Sequence, residues 1–206
     1  MISIVIPTIR GREEHFERCV AAYESRTVET YEIIVERDHP AVGPAWNAGA
    51  ARATGGLLHL TADDLEPHDG WDQAAINTVQ QGFLPAPRVV NQNGQLDSCG
   101  LHGVEMEDGA VVPMSVVPFL PTSLWAEIGP CLPIHYFTDN WISWRAARAG
   151  WSTRVRRGYG FTHHWAQVGR GAGMTYQQRM THDEAVFVAA VRDEAGVSDG
   201  PVRDPE

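Results

Sequence analysis

Four consecutive residues, Thr61-Ala62-Asp63-Asp64, concentrate the chemistry of this chain. They close an apolar run, Gly56-Leu57-Leu58-His59-Leu60, and lead into Leu65-Glu66-Pro67. The run has the composition of a buried strand, which places two carboxylates at its end. An unpaired carboxylate there is costly to desolvate. A divalent cation offsets that cost, because Mg²⁺ and Mn²⁺ take oxygen ligands and usually hold substrate phosphates beside one or two carboxylates. The tetrad therefore points to a metal–diphosphate site. Taken alone, capping of a following helix by Asp explains it equally well.

The elements that position the tetrad follow from periodicity. Residues 2–6 are a strand of β-branched residues. Thr8 to Arg12 is a polar turn, and Glu13 to Arg26 carries Phe16, Val20 and Tyr23 at helical spacing. Tyr31 to Glu36 is a second strand, and Pro44 to Ala53 a helix of small residues stopped near Gly55-Gly56. Residues 56–61 are a third strand, and Gly70 to Gln80 a helix with Trp71, Ala74, Ala75 and Val79 on one face. This β-α-β-α-β-α order predicts an α/β fold with a mostly parallel central sheet covered by helices. Ligands of such sheets sit beyond the carboxyl ends of the strands. Pro7-Thr8, Asp38 and Asp63-Asp64 all fall at those ends, after three different strands.

The second half is less regular. Arg88-Val89-Val90 and Val111-Val112 are strand-like pieces, and Pro121 to Ile128 is a short helix stopped by Gly129-Pro130. Asp139 to Ala149 is a patterned helix, Ser152 to Val155 a strand, and Asp183 to Glu194 a final helix. Residues 1–195 are expected to form a single domain, with a nucleotide-binding half over 1–80 and an acceptor half over 81–195; 196–206 are expected to be a flexible tail.

Composition removes several function classes. The 206 residues are 43% apolar and 20% charged, ordinary for a chain with a real core. No apolar run approaches the ~18 residues of a membrane span, and the first residues lack the basic leader of a secretory signal. Cys19, Cys99 and Cys131 are sparse and unpaired in spacing, so they are expected as buried thiols of a cytoplasmic protein. The net charge of -10 disfavours a broad phosphate-tracking surface. All 16 basic residues are arginine, which excludes a lysine nucleophile or Schiff base.

In order and spacing, these segments resemble family 2 glycosyltransferases of the GT-A fold, a three-layer sandwich. Ile2-Ser3-Ile4-Val5-Ile6-Pro7-Thr8 looks like that family's opening strand, and Tyr31-Glu32-Ile33-Ile34-Val35 with Asp38 like its second strand and nucleoside-reading acid. Asn47-Ala48-Gly49 through Gly55-Gly56 is similar to its Asn-x-Gly helix. Asp63-Asp64 stand where its Asp-x-Asp motif ends, and Thr138-Asp139-Asn140-Trp141 through Arg145 resembles its acid-plus-helix segment. The match covers most of residues 2–165. It departs at Thr61, where the family has Asp; at Arg37, where it has an acid; at Trp46, often Arg; and at Thr138, also an acid.

The resemblance implies a metal-dependent transferase that moves a sugar from a nucleotide-sugar donor, with a UDP-sugar favoured, to an acceptor hydroxyl with inversion. It implies Asp139 as the catalytic base, since a carboxylate partly removed from water can accept the acceptor's proton. Helix capping is the competing role for Asp139. Donor-binding residues would be Pro7, Thr8, Arg10, Asp38, Asn47 and Asp63. Mn²⁺ or Mg²⁺ would rest on Asp64 and on only one of His163 and His164, since neighbours on an extended chain point to opposite faces; His163 is the choice, with His164 the alternative one register away. The acceptor, whether glycan, protein, lipid or modified nucleic acid, is not indicated. Arg154, Arg156, Arg157 and Arg170 are expected as a solvated face. Trp141 and Trp144 are expected in the core, Trp165 as an acceptor wall, and Gly169–Gly173 as a lid or a flexible loop. Two other classes stay open: a non-catalytic nucleotide- or glycan-binding relative, and a sugar-1-phosphate nucleotidyltransferase. The latter is disfavoured by a 7–12 loop with one glycine and no lysine.

Overall fold

The computed structural model describes residues 1–97, 103–105, 111–164 and 174–196, with side chains of 103–105 and 111–113 excepted. Cys99, Trp165, Arg170 and the Gly169–Gly173 segment lie outside the described residues, as does the tail beyond Gly196. Strand β1 (Ile2–Thr8) is the centre of the first sheet. It pairs in parallel with β2 (Tyr31–Arg37) on one side and β3 (Leu57–Leu60) on the other; β8 (Phe119–Pro121) closes the sheet antiparallel to β3. A second sheet has the order β4-β9-β5, from β4 (Leu65–Pro67), β9 (Ser152–His163) and β5 (Phe83–Asn91). There β5 runs parallel to β9 and β4 antiparallel to it. A small hairpin pairs β6 (Gly103–Glu105) with β7 (Val111–Pro113).

The period-2 alternation of β1 divides the core. Ile2, Ile4 and Ile6 point to one face, where they meet Cys19 and Tyr23 of α1 (Glu13–Arg26) and Trp71 and Ala75 of α3 (Trp71–Gln80). Val5 points to the other face, against Trp46 and Ala50 of α2 (Val42–Arg52). That face also holds Leu124 and Ile128 of α4 (Thr122–Ile128) and Ile142 and Ala146 of α5 (Thr138–Arg148). Helices thus cover both faces of the sheet in three layers. Contact between α2 and the sheet is direct: a Cβ added to Gly49 would lie 2.3 Å from Val5 Cγ1, so no larger residue fits without separating the layers. Helix α6 (Tyr176–Ala195) lays Phe187, Ala190 and Val191 over Trp141 and Trp144, both buried as expected.

The second half departs from the sequence reading. β5 runs nine residues through Pro85 and Pro87, which read as breakers. Among the named strands it pairs only with β9, residues 95–97 folding back on its end at Val89–Asn91, and its register shifts between Ala86 and Arg88, a setting that tolerates proline. β9 is twelve residues long rather than four, because Gly158 and Gly160 sit inside a strand rather than ending it. Gly160 is needed there: a Cβ would approach His68 Nδ1 to 2.7 Å. α6 begins seven residues before Asp183, at a capping box in which Thr175 and Gln178 satisfy each other's backbone amides. Among the described residues, no helix is long and apolar enough to cross a membrane. Cys19 and Cys131 are buried free thiols, and burial pushes both pKa values up.

Candidate donor site

The parallel strands bring their carboxyl ends to one edge. Thr8 ends β1 in register with Arg37, the last residue of β2, and the Asp38 amide donates to the Thr8 carbonyl at 3.0 Å. After β3, the Thr61 amide donates to the Val5 carbonyl at 3.1 Å, so residues 61–64 continue along the same edge. β9 reaches this edge from the second sheet: His163 is in register with Leu65, next to Asp64, and with Asn91 at the end of β5.

Asp63 and Asp64 are both buried, and a buried arginine meets them. Arg12 Nε donates to Asp63 Oδ2 at 2.9 Å, its Nη2 donates to Asp63 Oδ1, and the same Nη2 lies 3.1 Å from Asp64 Oδ2. Burial works against the Arg12 charge, but the two carboxylates outweigh it and hold its pKa above the ordinary value. Thr8 completes the arrangement by donating to Asp63 Oδ2 at 2.6 Å. Asp63 thereby has both oxygens engaged by protein groups. Sequence reasoning selected Arg10 from this loop and missed Arg12. The structure leaves the Arg10 side chain 92% exposed and 3.5 Å from Asp38 Oδ2. Gly11, at φ +86, turns the chain between the two arginines. Pro7 is half-buried in β1, opposite Glu36 of β2.

Asp38 lies at the mouth of this edge. Its backbone is left-handed at φ 57, a region in which Asp is enriched, and its side chain is 49% exposed. It accepts from the Arg10 amide at 3.2 Å. Asn47 sits deeper, and its amide is engaged at both ends by one residue: Nδ2 donates to the Cys131 carbonyl at 3.0 Å, and the Cys131 amide donates to Oδ1 at 2.7 Å. This couples α2 to the loop that leads into α5, and the charge of Asp139 acts on the Cys131 thiol. Asp139 lies in the first turn of α5, half-buried, and its Oδ1 accepts from the Asn140 amide at 3.1 Å. The turn before it is fixed by Asp183 of α6, which accepts from the His135 and Tyr136 amides at 2.9 and 3.0 Å. Burial lowers the His135 pKa in this turn.

His163 and His164 diverge as neighbours on a strand must. His164 Nε2 lies 2.8 Å from Glu66 Oε1, which also pairs with Arg18. His163 lies between two carboxylates: Nδ1 is 3.1 Å from Asp97 Oδ2, and Nε2 is 3.6 Å from Asp64 Oδ2. Burial lowers the His163 pKa, but Asp64 and then Asp97 more than offset it, so the net shift is upward. Burial likewise tends to raise the Asp64 pKa, and His163 followed by Arg12 reverses this and pulls it down to about 2. Asp64 is therefore a carboxylate at any physiological pH.

The fit of a divalent cation can be judged from these donors. An oxygen of Asp64 and a nitrogen of His163 face each other across 3.6 Å, and this oxygen–imidazole pair suits Mn²⁺. Among the described residues, no group of three or more His, Cys, Asp or Glu side chains is arranged to hold a metal ion. A cation at this pair would have to displace Arg12 Nη2, 3.1 Å from the same Asp64 oxygen, and would draw its remaining ligands from outside the protein. Thr61 adds none: buried in the core, its hydroxyl accepts from Tyr23 at 2.8 Å. Trp46, at the position where the resembled family often has Arg, packs in the core and donates from Nε1 to the Thr61 carbonyl at 2.9 Å. Arg154 and Arg157 are exposed, as expected of a solvated face, and Arg154 stacks over Phe83.

No family model and no curated protein matches the chain. Solved structures do. S. aureus TarS residues 1–349, in complex with UDP-GlcNAc, superpose with a TM-score of 0.70 at 11% identity over 97% of this chain and 67% of that one. The fold is GT-A-like. A second TarS structure gives a TM-score of 0.68 at 10% identity, and this chain spans only 40% of its length. GalNAc-T7 with UDP, GalNAc and Mn²⁺ gives 0.62 at 13% identity, over 95% of this chain and 50% of that one. These neighbours are nucleotide-sugar transferases, and at such identities the likeness is one of fold.

Proposed function

We propose that this protein is a metal-dependent glycosyltransferase that moves a sugar from a nucleotide-sugar donor, UDP-linked in the favoured case, to an acceptor hydroxyl. The observation that carries the reading is the meeting of Asp64 and His163 at the carboxyl edge of a GT-A-like sheet. It is supported by neighbours of that fold whose structures hold UDP-GlcNAc, and UDP with Mn²⁺.

In this reading the nucleoside lies over the ends of β1 and β2, with Asp38 accepting from the base and Pro7, Thr8 and Arg10 lining its seat. Asn47 holds the wall beside it, and Asp63, locked by Thr8 and Arg12, aligns Asp64. Asp64 and His163 would hold Mn²⁺ or Mg²⁺, which supplies positive charge for the leaving diphosphate when bound. Asp139 takes the proton of the acceptor hydroxyl. The acceptor oxygen bonds to the anomeric carbon from the face opposite the diphosphate, the bond from that carbon to the phosphate oxygen breaks, and the nucleoside diphosphate leaves. One direct displacement inverts the anomeric centre.

A second reading, donor binding without turnover, draws on Thr61, which stands where the family has a ligand acid and faces the core instead. Turnover separates the two. With UDP-sugars and Mn²⁺, the protein should release UDP, even to water as a slow acceptor, and Asp139→Asn should abolish release while UDP still binds. Equal release by the wild type and Asp139→Asn would remove Asp139 from catalysis. UDP binding without release under any acceptor panel would favour the binding module.

A further inference from the structure

The turn that leads into α5 is gripped from two sides. On one side is the first turn of α2, the helix that starts just after Asp38. The Gly43 amide donates to the Ile134 carbonyl at 3.0 Å, and a Cβ at Gly43 would lie 1.9 Å from the Leu132 carbonyl oxygen. This close approach brings residues 132–134 to the sheet edge that Asp38 occupies. On the other side is α6, which presents Tyr176, Asp183 and Phe187 on one face, at helical spacing. Asp183 Oδ2 accepts from the His135 and Tyr136 amides, Phe187 stacks on Phe137 at 5.8 Å and 15°, and Tyr176 meets Tyr136 edge to face at 5.4 Å and 72°. Between these contacts Phe137 holds a left-handed backbone at φ 64, rare for a bulky residue and kept only where its surroundings fix it.

Anchoring accounts for two of the three contacts. Asp183 is fully buried and Phe187 packs against the core, whereas Tyr176 is 58% exposed. A ring left mostly in water gains little from burial. Its exposed surface and phenol stand beside half-buried Tyr136, three residues before Asp139. In the proposed reaction the acceptor hydroxyl comes to Asp139, so the body of the acceptor must lie on neighbouring surface. A pyranose carries C–H groups on its faces and hydroxyls around its rim. Tyrosine rings match the first and phenol hydroxyls the second.

We propose that Tyr136 and Tyr176 form an acceptor subsite for a saccharide, packing a sugar ring so that one of its hydroxyls reaches Asp139. This rests on the proposed transferase reading and names the chemical class of acceptor, which that reading leaves open.

The test is saturation-transfer NMR with the methyl glycosides of glucose, galactose, mannose and N-acetylglucosamine and with lactose, maltose and cellobiose, with and without UDP and Mn²⁺. It compares the wild type with Tyr176→Ala, Tyr176→Phe and Tyr136→Ala; UDP affinity and the thermal midpoint are read in parallel. The wild type should transfer saturation to the ring C–H protons of at least one saccharide. Tyr176→Ala and Tyr136→Ala should bind it about tenfold more weakly, the scale of one lost aromatic contact, with UDP affinity unchanged. Tyr176→Phe, which keeps the ring, should stay close to the wild type. Should Tyr136→Ala fail to fold, exposed Tyr176 carries the comparison. Wild-type saccharide binding by a folded Tyr176→Ala would overturn the proposal, as would a fall in midpoint and UDP affinity that accompanies the loss, which marks a structural pin. UDP binding with no saccharide bound would overturn the subsite and leave the donor site standing. Tyrosine-dependent saccharide binding with no UDP bound would keep the subsite and overturn the transferase reading.

Discussion

Arg12 is the keystone of the acidic edge, and its removal has a calculable cost. Its side chain is 10% exposed, and those of Asp63 and Asp64 are 5% and 8% exposed. Arg12→Met keeps most of the volume and removes the charge, leaving two buried carboxylates, with Thr8 to compensate Asp63 and His163 to compensate Asp64 among the described residues. Breaking a buried ion pair from one side costs about 3–5 kcal/mol, because the remaining charge stays desolvated. Urea unfolding at pH 7.5 suits the measurement, since urea does not screen charge. The variant should lose about 3–5 kcal/mol, a large part of the stability of a single domain. Without Arg12, burial is less opposed and the Asp64 pKa rises from about 2. The variant's deficit is then full at neutral pH and shrinks as pH falls and a carboxylate takes up a proton. Adding Asp63→Asn to Arg12→Met should recover part of the loss at pH 7.5. A deficit of about 1 kcal/mol or less, the range of an exposed pair, independent of pH, would refute the argument.

Two further outcomes follow from the same network of buried groups. His59 is fully buried among Tyr23, Trp71, Phe119 and Phe161, and burial drops its pKa from 6.5 to about 3. The unfolded chain therefore binds the extra proton between those values, so stability is complete above pH 6.5 and falls as pH drops toward 3. At pH 5 the loss from this residue is about 2 kcal/mol, and urea unfolding of His59→Phe should show a shallower acid limb than the wild type; parallel limbs would contradict it. For Asp183, burial raises the pKa, but the bonds from His182 and from the Tyr136 and His135 amides lower it more. Asp183→Ala strands two backbone amides, at about 1–3 kcal/mol each, and should slow donor turnover by releasing the turn before Asp139, whereas full stability and turnover would show that turn to be held by other means.

The first half of the chain was legible because its signals are local. Glu13–Arg26 has the helical boundaries its spacing predicts, and the strand read over residues 2–6 is the buried β1. β5 and β9 were hidden because proline and glycine are strand breakers only on average. An edge strand accepts Pro85 and Pro87, and Gly160 makes room for His68. The site was legible in its carboxylates but not in their partners. Whether Arg10 or Arg12 turns inward depends on Gly11's left-handed backbone and on Asp63, 51 residues away. Asp97 lies 66 residues from His163 and carries no motif, so only the return of the chain along β5 reveals it. The Thr61 substitution, an apparent loss in sequence, proves to be a core residue bonded to Tyr23.

The most direct test of the donor site is thermal unfolding with UDP, GDP, TDP and CDP, each with and without Mn²⁺. A ligand at one hundred times its dissociation constant adds about 2.7 kcal/mol, a shift that is readily measured. The account predicts stabilisation by one nucleotide, UDP first, that requires Mn²⁺ and disappears in Asp64→Ala. Stabilisation by none of the four, with or without Mn²⁺, would contradict it.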